Sequence, residues 1–374
     1  PLAVGVVLGA SEFRLKCSSA AGIAAGEDFL GAVPAQSGVA GAIRDGLLAV
    51  SWEGGATVTA QSVRLRPDEP GATVAVFKVH FEKGFYWSNE ETRVFRGAME
   101  ARLARGLANL INRVSLEEYL LGVVPSEMPY GWPEEALKAQ AVAARTETLR
   151  KLGRHGADGF DVCASQHCAV YRGLTGERDR TSAAISATRG VVLKFGGRYV
   201  DCVYAANCGG WGSAASAIWG SGDPGGLPAV CDLKPAAARE WRDLAGDPDL
   251  SERFMYEWPD AWCRHEGHRA SYRWARSYRL EELSGWVDRR HGTGSLSRVT
   301  PRSWTAEGWL TGVEFGGDKA VRTSRKDGVR GSLFMARSNR AAAELFPACG
   351  NVPAQAFIVG SGWGHGAGMC QDGV

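Results

Sequence analysis

An α+β fold is predicted by three observations. Short valine-rich runs separated by glycine turns fill the first hundred residues, alanine-rich helical stretches with capping signals begin at residue 115, and 49 glycines with 15 prolines are scattered without period. Turn-broken apolar runs read as antiparallel strands, and aperiodic glycine and proline imply many tight turns. The expected organisation is an antiparallel β-rich region over 1–111, then a mixed core with Ala-rich helices and β-hairpins over 112–220 and 311–374. A Trp-rich inserted subdomain is expected over 221–310.

LAVGVVL at 2–8, GLLAVSW at 46–52 and TVAVFKVHF at 73–81 are the strand-like runs of the first region, which shows no chemistry of its own. Ser115 with Glu118 three residues on forms a capping box, so a short helix is expected from Leu116. Pro125 and Pro129 flank Glu127 and keep it out of a regular helix interior, on a loop or a terminal turn. Pro133, Glu134 and Glu135 open a second helix of roughly five turns, which Arg150, Lys151 and Gly153 close. A further Ala-rich helix spans Asp179 to Arg189. VVLKF and RYVDCVYAA form a hairpin across Gly196 and Gly197, whose residue type suits a primed turn. Seven of the 13 tryptophans lie between Trp219 and Trp304; packing into a small core is favoured for them over stacking on sugar rings. The chain closes with an apolar strand and a glycine-dense loop carrying His365 and Gln371.

Length and composition bound the function. At 374 residues the chain suffices for one large or two medium domains, and 45% apolar with 22% charged residues disfavours disorder and fibrous order. A net charge of +2 without any basic run leaves no electrostatic footprint for nucleic acid. No run of about 18 apolar residues is present, so the chain as given is expected to be soluble. Any export leader is expected to have been removed before Pro1. Nine cysteines are too many for casual use, and their odd number leaves at least one without an intrachain partner.

Glu127 sits beside Met128, Tyr130 and Trp132, apolar neighbours that could desolvate a carboxyl and hold it protonated as a general acid requires. A helix-terminal glutamate satisfying local amides is the alternative, and the local residues alone favour it. His155, Cys163, His167 and Cys168 place borderline and soft ligands within one loop, a set that tetrahedral zinc accepts. A Cys163–Cys168 disulfide fits the same spacing equally well. Asn207 in NCGG and His365 in GWGHGAG lie on glycine-dense corners where a ligand can approach the backbone. No nucleotide-binding or serine-hydrolase motif is present.

Four blocks in order carry a resemblance: SLEEYLLGVVPSEMPYGWPEEALKAQAVAARTETLRK, CASQHCAVYRG, ISATRGVVLKFGGRYVDCVYAANCGG and GWGHGAGMCQDG. Together they resemble the SpoIID family, also called the SpoIID/LytB domain, over about residues 112–220 and 357–373. The resemblance implies a peptidoglycan lytic transglycosylase that cleaves between N-acetylmuramic acid and N-acetylglucosamine, preferentially on strands without stem peptides, and leaves 1,6-anhydro ends. It implies Glu127 as the acid, and one structural zinc on Cys163, His167 and Cys168 with His155 as a weaker fourth ligand. Gln140, Tyr171, Asn207, His365 and Gln371 are expected to line a shared substrate groove. Glycan strands, and cell-wall remodelling proteins, are the expected partners, and the expected location is the cell envelope, with any membrane anchor preceding Pro1. Residues 221–310 match the family's variable insert. The alternatives are a non-catalytic glycan-binding scaffold and a hydrolase using Asp161 or Asp201 as a second carboxylate. If the chain is exported, Cys231 and Cys263 are the pair best placed to staple the insert, and buried free thiols fit equally.

Overall fold

The computed structural model describes residues 1–55, 57–80, 90–220, 226–244, 247–326, 328–334, 336–350 and 354–374, without the side chains of 79, 80 and 248. Phe81, the end of one expected strand, and Ser221, the expected start of the insert, lie outside the described residues. Strands and helices are both abundant, with antiparallel sheets first and a mixed region after, which makes the fold α+β. The chain forms two compact units, Pro1–Lys194 and Phe195–Val374. This division differs from the boundaries read at 111/112, 220/221 and 310/311.

Twelve strands open the first unit: β1 (Leu2–Ala10), β2 (Glu12–Cys17), β3 (Ala21–Ala25), β4 (Asp28–Val33), β5 (Gly38–Arg44), β6 (Leu47–Trp52), β7 (Val58–Ala60), β8 (Ser62–Pro67), β9 (Thr73–His80), β10 (Glu90–Arg96), β11 (Ala98–Ala104) and β12 (Leu107–Val114). Alternation sets their faces. In β2, Phe13, Leu15 and Cys17 point inward while Glu12 and Arg14 face solvent. Tight turns set register: Asp45 and Gly46, at φ of +50° and +75°, join β5 to β6 as a primed turn needs. One sheet runs β4-β3-β8-β11-β12-β1 and the other β10-β9-β2-β5-β6-β7; Val4, Ile23, Leu65 and Leu110 of the first share one core with Leu15, Leu48 and Val76 of the second.

The capping box forms as Ser115 and Glu118 predict and starts α1 (Leu116–Glu127). The second helix, α2 (Glu134–Arg150), begins after Pro133, and α3 (Asp179–Ala187) stops two residues before Arg189. Between α2 and α3, β13 (Val162–Cys163) adds a parallel edge to the first sheet beside β1. Tyr119, Leu120, Val123 and Val124 carry α1 into the common core. Arg145 of α2 clamps the three helices. Its guanidinium, 1% exposed, donates to both carboxylate oxygens of Glu117 at 2.8 and 2.9 Å and to the carbonyls of Ala141, Ile185 and Val191.

The expected hairpin is shorter than its sequence run: β14 (Lys194–Phe195) and β15 (Arg198–Tyr199) turn through Gly196 and Gly197, both at positive φ. Leu193 is diverted because its amide donates to Thr146 Oγ1 of α2. In the second unit β16 (Tyr204–Ala205) is followed by α4 (Ala215–Trp219), α5 (Pro235–Glu240), α6 (Pro248–Tyr256) and α7 (Arg269–Tyr272). Then come β17 (Arg273–Arg279), α8 (Leu280–His291), β18 (Leu296–Trp304), β19 (Leu310–Gly317), β20 (Val321–Arg325), α9 (Gly328–Ser332), β21 (Ala341–Phe346), β22 (Gln355–Ser361) and β23 (Met369–Cys370). Two antiparallel sheets, β17-β22-β21 and β18-β19-β20, enclose a core with Leu283, Val313, Phe315 and Ile358. Residues 221–310 therefore share cores and ladders with their flanks: β17 pairs with β22, and β18 with β19. Trp241 and Trp274 are buried, as core packing predicts, whereas Trp258, Trp262 and Trp304 are exposed.

Burial opposes ionisation of Glu117, but the Arg145 guanidinium outweighs it and holds the carboxyl below its ordinary 4.5; Glu100, buried among Arg64, Arg102 and Arg113, shifts the same way. The stability from these pairs is complete above the unfolded carboxylate range and is lost as pH falls through the depressed folded values. Glu117→Gln, which strands a buried guanidinium, is expected to cost about 3 kcal/mol at neutral pH and to flatten the acid limb of the unfolding profile. Equal denaturation midpoints at pH 7 for the variant and the parent chain would contradict the clamp.

Candidate functional site

Glu127 closes α1, in the last turn of the helix and not on a loop. The helix runs through Pro125, which has no N–H to donate, and Ser126 Oγ bonds the Gly122 carbonyl at 3.0 Å. Gly122 lets α1 settle onto the following turn: a Cβ there would lie 2.8 Å from the Gly173 oxygen and from Tyr171 Cε2. Half-buried at the end of this helix, the Glu127 carboxylate accepts the Val170 amide on Oε1 at 3.1 Å. That bond constrains the carboxyl, and its donor belongs to the cysteine-histidine loop.

The loop is fastened to the sheet and to α2. Cys163 pairs with Gly5 across β13 and β1, and Ala164 donates to the Gly5 carbonyl. Phe160 occupies the space above Gly5, where a Cβ would come within 2.8 Å of the ring, and stacks on His155 at 4.7 Å. Both Asp161 carboxylate oxygens accept backbone amides, from Ala3 at 2.9 Å and Gly153 at 3.1 Å. Lys151 joins Glu147 to the Cys168 carbonyl.

These ties bring His155, Cys163, His167 and Cys168 together, with all four ligand atoms within 4.8 Å of one another. His155 Nε2 lies 3.4 Å from Cys168 Sγ, and His167 Nδ1 lies 3.6 and 3.7 Å from Cys163 and Cys168 Sγ. Zinc bonds of about 2.3 Å to sulfur and 2.0 Å to nitrogen give tetrahedral N–S edges of about 3.5 Å, so the set fits a closed zinc site. Both cysteines are free thiols. The Cys168 thiol and the Ser165 hydroxyl, close by, hold Cys163 well below the ordinary thiol range against the effect of burial.

Gln140 and Tyr171 are buried at 0% and 1% exposure. The Tyr171 hydroxyl donates to Asn112 Oδ1 at 2.9 Å, and its ring packs on Tyr119 at 4.8 Å. Neither side chain is presented to solvent.

Asn207, His365 and Gln371 belong to the second unit. Asn207 is fully buried: Nδ2 donates to the Cys263 carbonyl and to Asp372 Oδ2, and Oδ1 accepts the Gly209 amide. Its backbone exchanges two hydrogen bonds with Trp363, so the NCGG corner and the GHG loop meet within this unit. His365 Nδ1 accepts the Ala367 amide, and its ring lies 5.0 Å from Trp219; Gln371 is buried. Cys231 is exposed and Cys263 lies buried beside Cys208, and both are free, so of the two readings left open for this pair the staple is not formed. The Val170 amide carries no side-chain signal in the sequence, and Asp232 stands in none of the sequence motifs.

The SpoIID family, described as stage II sporulation protein, matches residues 104–195. That segment holds Glu127, Gln140, Tyr171 and all four loop ligands. The chain is 40% identical over 105 residues to an amidase enhancer of Bacillus subtilis, covering 28% of this chain and 14% of that protein. It is 32% identical over 129 residues to stage II sporulation protein D of B. subtilis and 30% identical to that of B. amyloliquefaciens, covering 30% of this chain and 38% of each relative. The chain thus spans well under half the length of these relatives.

With every polar side-chain atom committed internally, Asn207 acts as a structural tie in this geometry. Asn207→Ala is expected to destabilise the second unit by about 2 kcal/mol or more through stranded partners, read as a lower thermal midpoint. An unchanged midpoint with weakened glycan binding would instead make Asn207 a ligand contact.

Proposed function

We propose that this chain, which belongs to the SpoIID family, is a peptidoglycan lytic transglycosylase with Glu127 as its general acid and base. Family membership supports a role in cell-wall processing. The observation that supports the finer reading is the oriented carboxylate at the end of α1: Glu127 is held by the Val170 amide, whereas Asp161, one of the two candidates for a second carboxylate, has both oxygens committed to backbone amides. Hydrolytic glycosidases generally use two carboxyls about the scissile bond. A lytic transglycosylase needs one, because the C6 hydroxyl of the muramic acid residue attacks its own anomeric carbon. Glu127 donates its proton to the departing glycosidic oxygen, and the resulting carboxylate takes the proton from the C6 hydroxyl as the 1,6-anhydro bond closes. No water is consumed, and the carboxyl returns to its starting state. Glycan strands lacking stem peptides are the proposed substrate, and the cell envelope the proposed location.

His155, Cys163, His167 and Cys168 are proposed to hold one zinc. Four protein ligands make such a site structural, and its contribution when bound is to lock the loop that supplies the Val170 amide. Similarity to an amidase enhancer favours a second reading, a wall-binding partner of a separate hydrolase that does not itself cut.

Incubation with denuded glycan strands, followed by mass spectrometry, separates these readings. Anhydro-muramic ends are expected; reducing muramic ends would make the chain a hydrolase, and intact strands with measurable binding would support the partner reading. Glu127→Gln keeps the shape of the side chain but cannot donate the proton, so turnover is expected to fall by about 10²–10⁴ with binding retained. Residual activity above about a tenth would remove Glu127 from the chemistry. Cys163→Ser is expected to lose the loop zinc and most of the activity together, measured as metal content and turnover on one preparation. Full activity in a zinc-free parent chain would end the structural role of the metal.

A further inference from the structure

The second unit contains a ligand set that the glycan chemistry does not use. Cys208, Asp232, Cys263 and Cys370 each bring one ligand atom to a common point, all within 4.8 Å of one another. They arrive from four separate stretches of chain. Cys208 stands on the corner after β16, and Cys370 ends β23, which pairs in parallel with β16. Asp232 and Cys263 flank the bridge between Leu233 and Ala261, and the Trp262 amide donates to the Asp232 carbonyl.

The separations are those of ligands and not of a disulfide. Cys208 and Cys263 Sγ lie 3.7 Å apart, against about 2.05 Å in a sulfur–sulfur bond. A tetrahedron with zinc–sulfur bonds of about 2.3 Å has S–S edges of about 3.8 Å, and a zinc–oxygen bond of about 2.0 Å makes the O–S edge about 3.5 Å. Cys208 Sγ lies 3.3 Å from Asp232 Oδ2.

The surroundings serve the same end. Cys263 is 0% and Cys208 5% exposed, while Cys370 and Asp232 are half-buried. The Cys208 amide donates to Cys370 Sγ at 3.2 Å, and Asn207 holds the Cys263 carbonyl. A Cβ at Gly373 would lie 2.1 Å from Asp232 Oδ2, so a side chain at that position would displace the carboxylate from the other three ligands. Charge supplies an independent observation. Arg273 and Arg340 are 6% and 1% exposed and flank the ring of Phe254, which shares a core with Cys208, yet neither forms an ion pair with a carboxylate among the described residues. Arg273 also donates to the Gly209 carbonyl beside Cys208. Buried cations call for an anionic counterpart. Three thiolates and a carboxylate around a zinc ion carry a formal charge of about −2, which matches the two guanidinium groups.

We propose that Cys208, Asp232, Cys263 and Cys370 form a second, structural zinc site that closes the core of the second unit. Its four ligands belong to the second unit, whereas Glu127 and the loop ligands belong to the first. Binding would displace the thiol protons to solvent and leave each sulfur as a thiolate ligand, with no change of oxidation state.

Elemental analysis of the whole chain, purified without chelator, tests this directly. Two zinc ions per chain are expected, one retained after Cys163→Ser with Cys168→Ser, and one lost after Cys370→Ser. Because a buried cysteine variant can fail to fold, the parent chain supplies a second reading. Iodoacetamide labelling mapped by peptide mass is expected to modify exposed Cys231 and Cys349 at once. Cys208, Cys263 and Cys370 are expected to react only after a chelator withdraws zinc, and then together. The proposal is overturned by iron in place of zinc, by a disulfide between any two of the three cysteines, by labelling that ignores the chelator, or by a Cys163→Ser, Cys168→Ser chain that folds and holds no zinc.

Discussion

The first unit depends on one buried cation. Arg145 has five N–H groups and almost no access to water, so each needs a protein acceptor. Glu117 supplies two, and the carbonyls of Ala141, Ile185 and Val191 the rest. These acceptors come from α1, from α2, from α3 and from the irregular segment after it. Sliding any of the three helices would leave part of the guanidinium unsatisfied, which makes the arrangement selective as well as stable. Glu127 benefits at one remove, because α1 carries the clamp near its start and the carboxylate at its end.

The second constraint is close approach of backbones. At Gly122 and Gly5 a methyl group would collide with the 171–173 turn or with Phe160. The helix that ends in Glu127 and the loop that holds the thiols can therefore both lie close to their supports. The Val170 amide is within bonding distance of Glu127 because these two approaches are made together, and changing either would move the donor relative to the acceptor.

Each unit also gathers thiols at one point by a similar device. In the first, a loop pinned by Asp161 and Lys151 folds two cysteines and two histidines inward. In the second, a parallel strand pair and an isolated bridge deliver three cysteines and an aspartate. Irregular backbone built from short elements has little apolar area to fix it, and a metal ion or a dense hydrogen-bond set offsets the entropy of ordering it.

Local rules were legible in the sequence. The Ser115–Glu118 box, the limits of α2 at Pro133 and Lys151, the turn at Gly196–Gly197, the α+β class and the compact cysteine-histidine loop each depend on residues a few positions apart, whose chemistry acts before any tertiary contact forms. The tertiary structure decided what lies far apart along the chain. It joined Glu117 to Arg145 and Glu127 to Val170, buried Gln140, Tyr171 and Asn207, and drew Cys208 and Cys370 together across 162 positions. It also merged residues 221–310 with their flanks, since β17 and β18 find their partners outside that stretch. The physical reason is the range of the forces involved. Capping, turn geometry and helix periodicity are satisfied within one or two turns of chain, whereas burial and ligand convergence depend on which faces of distant elements exclude water together, and no single segment carries that information.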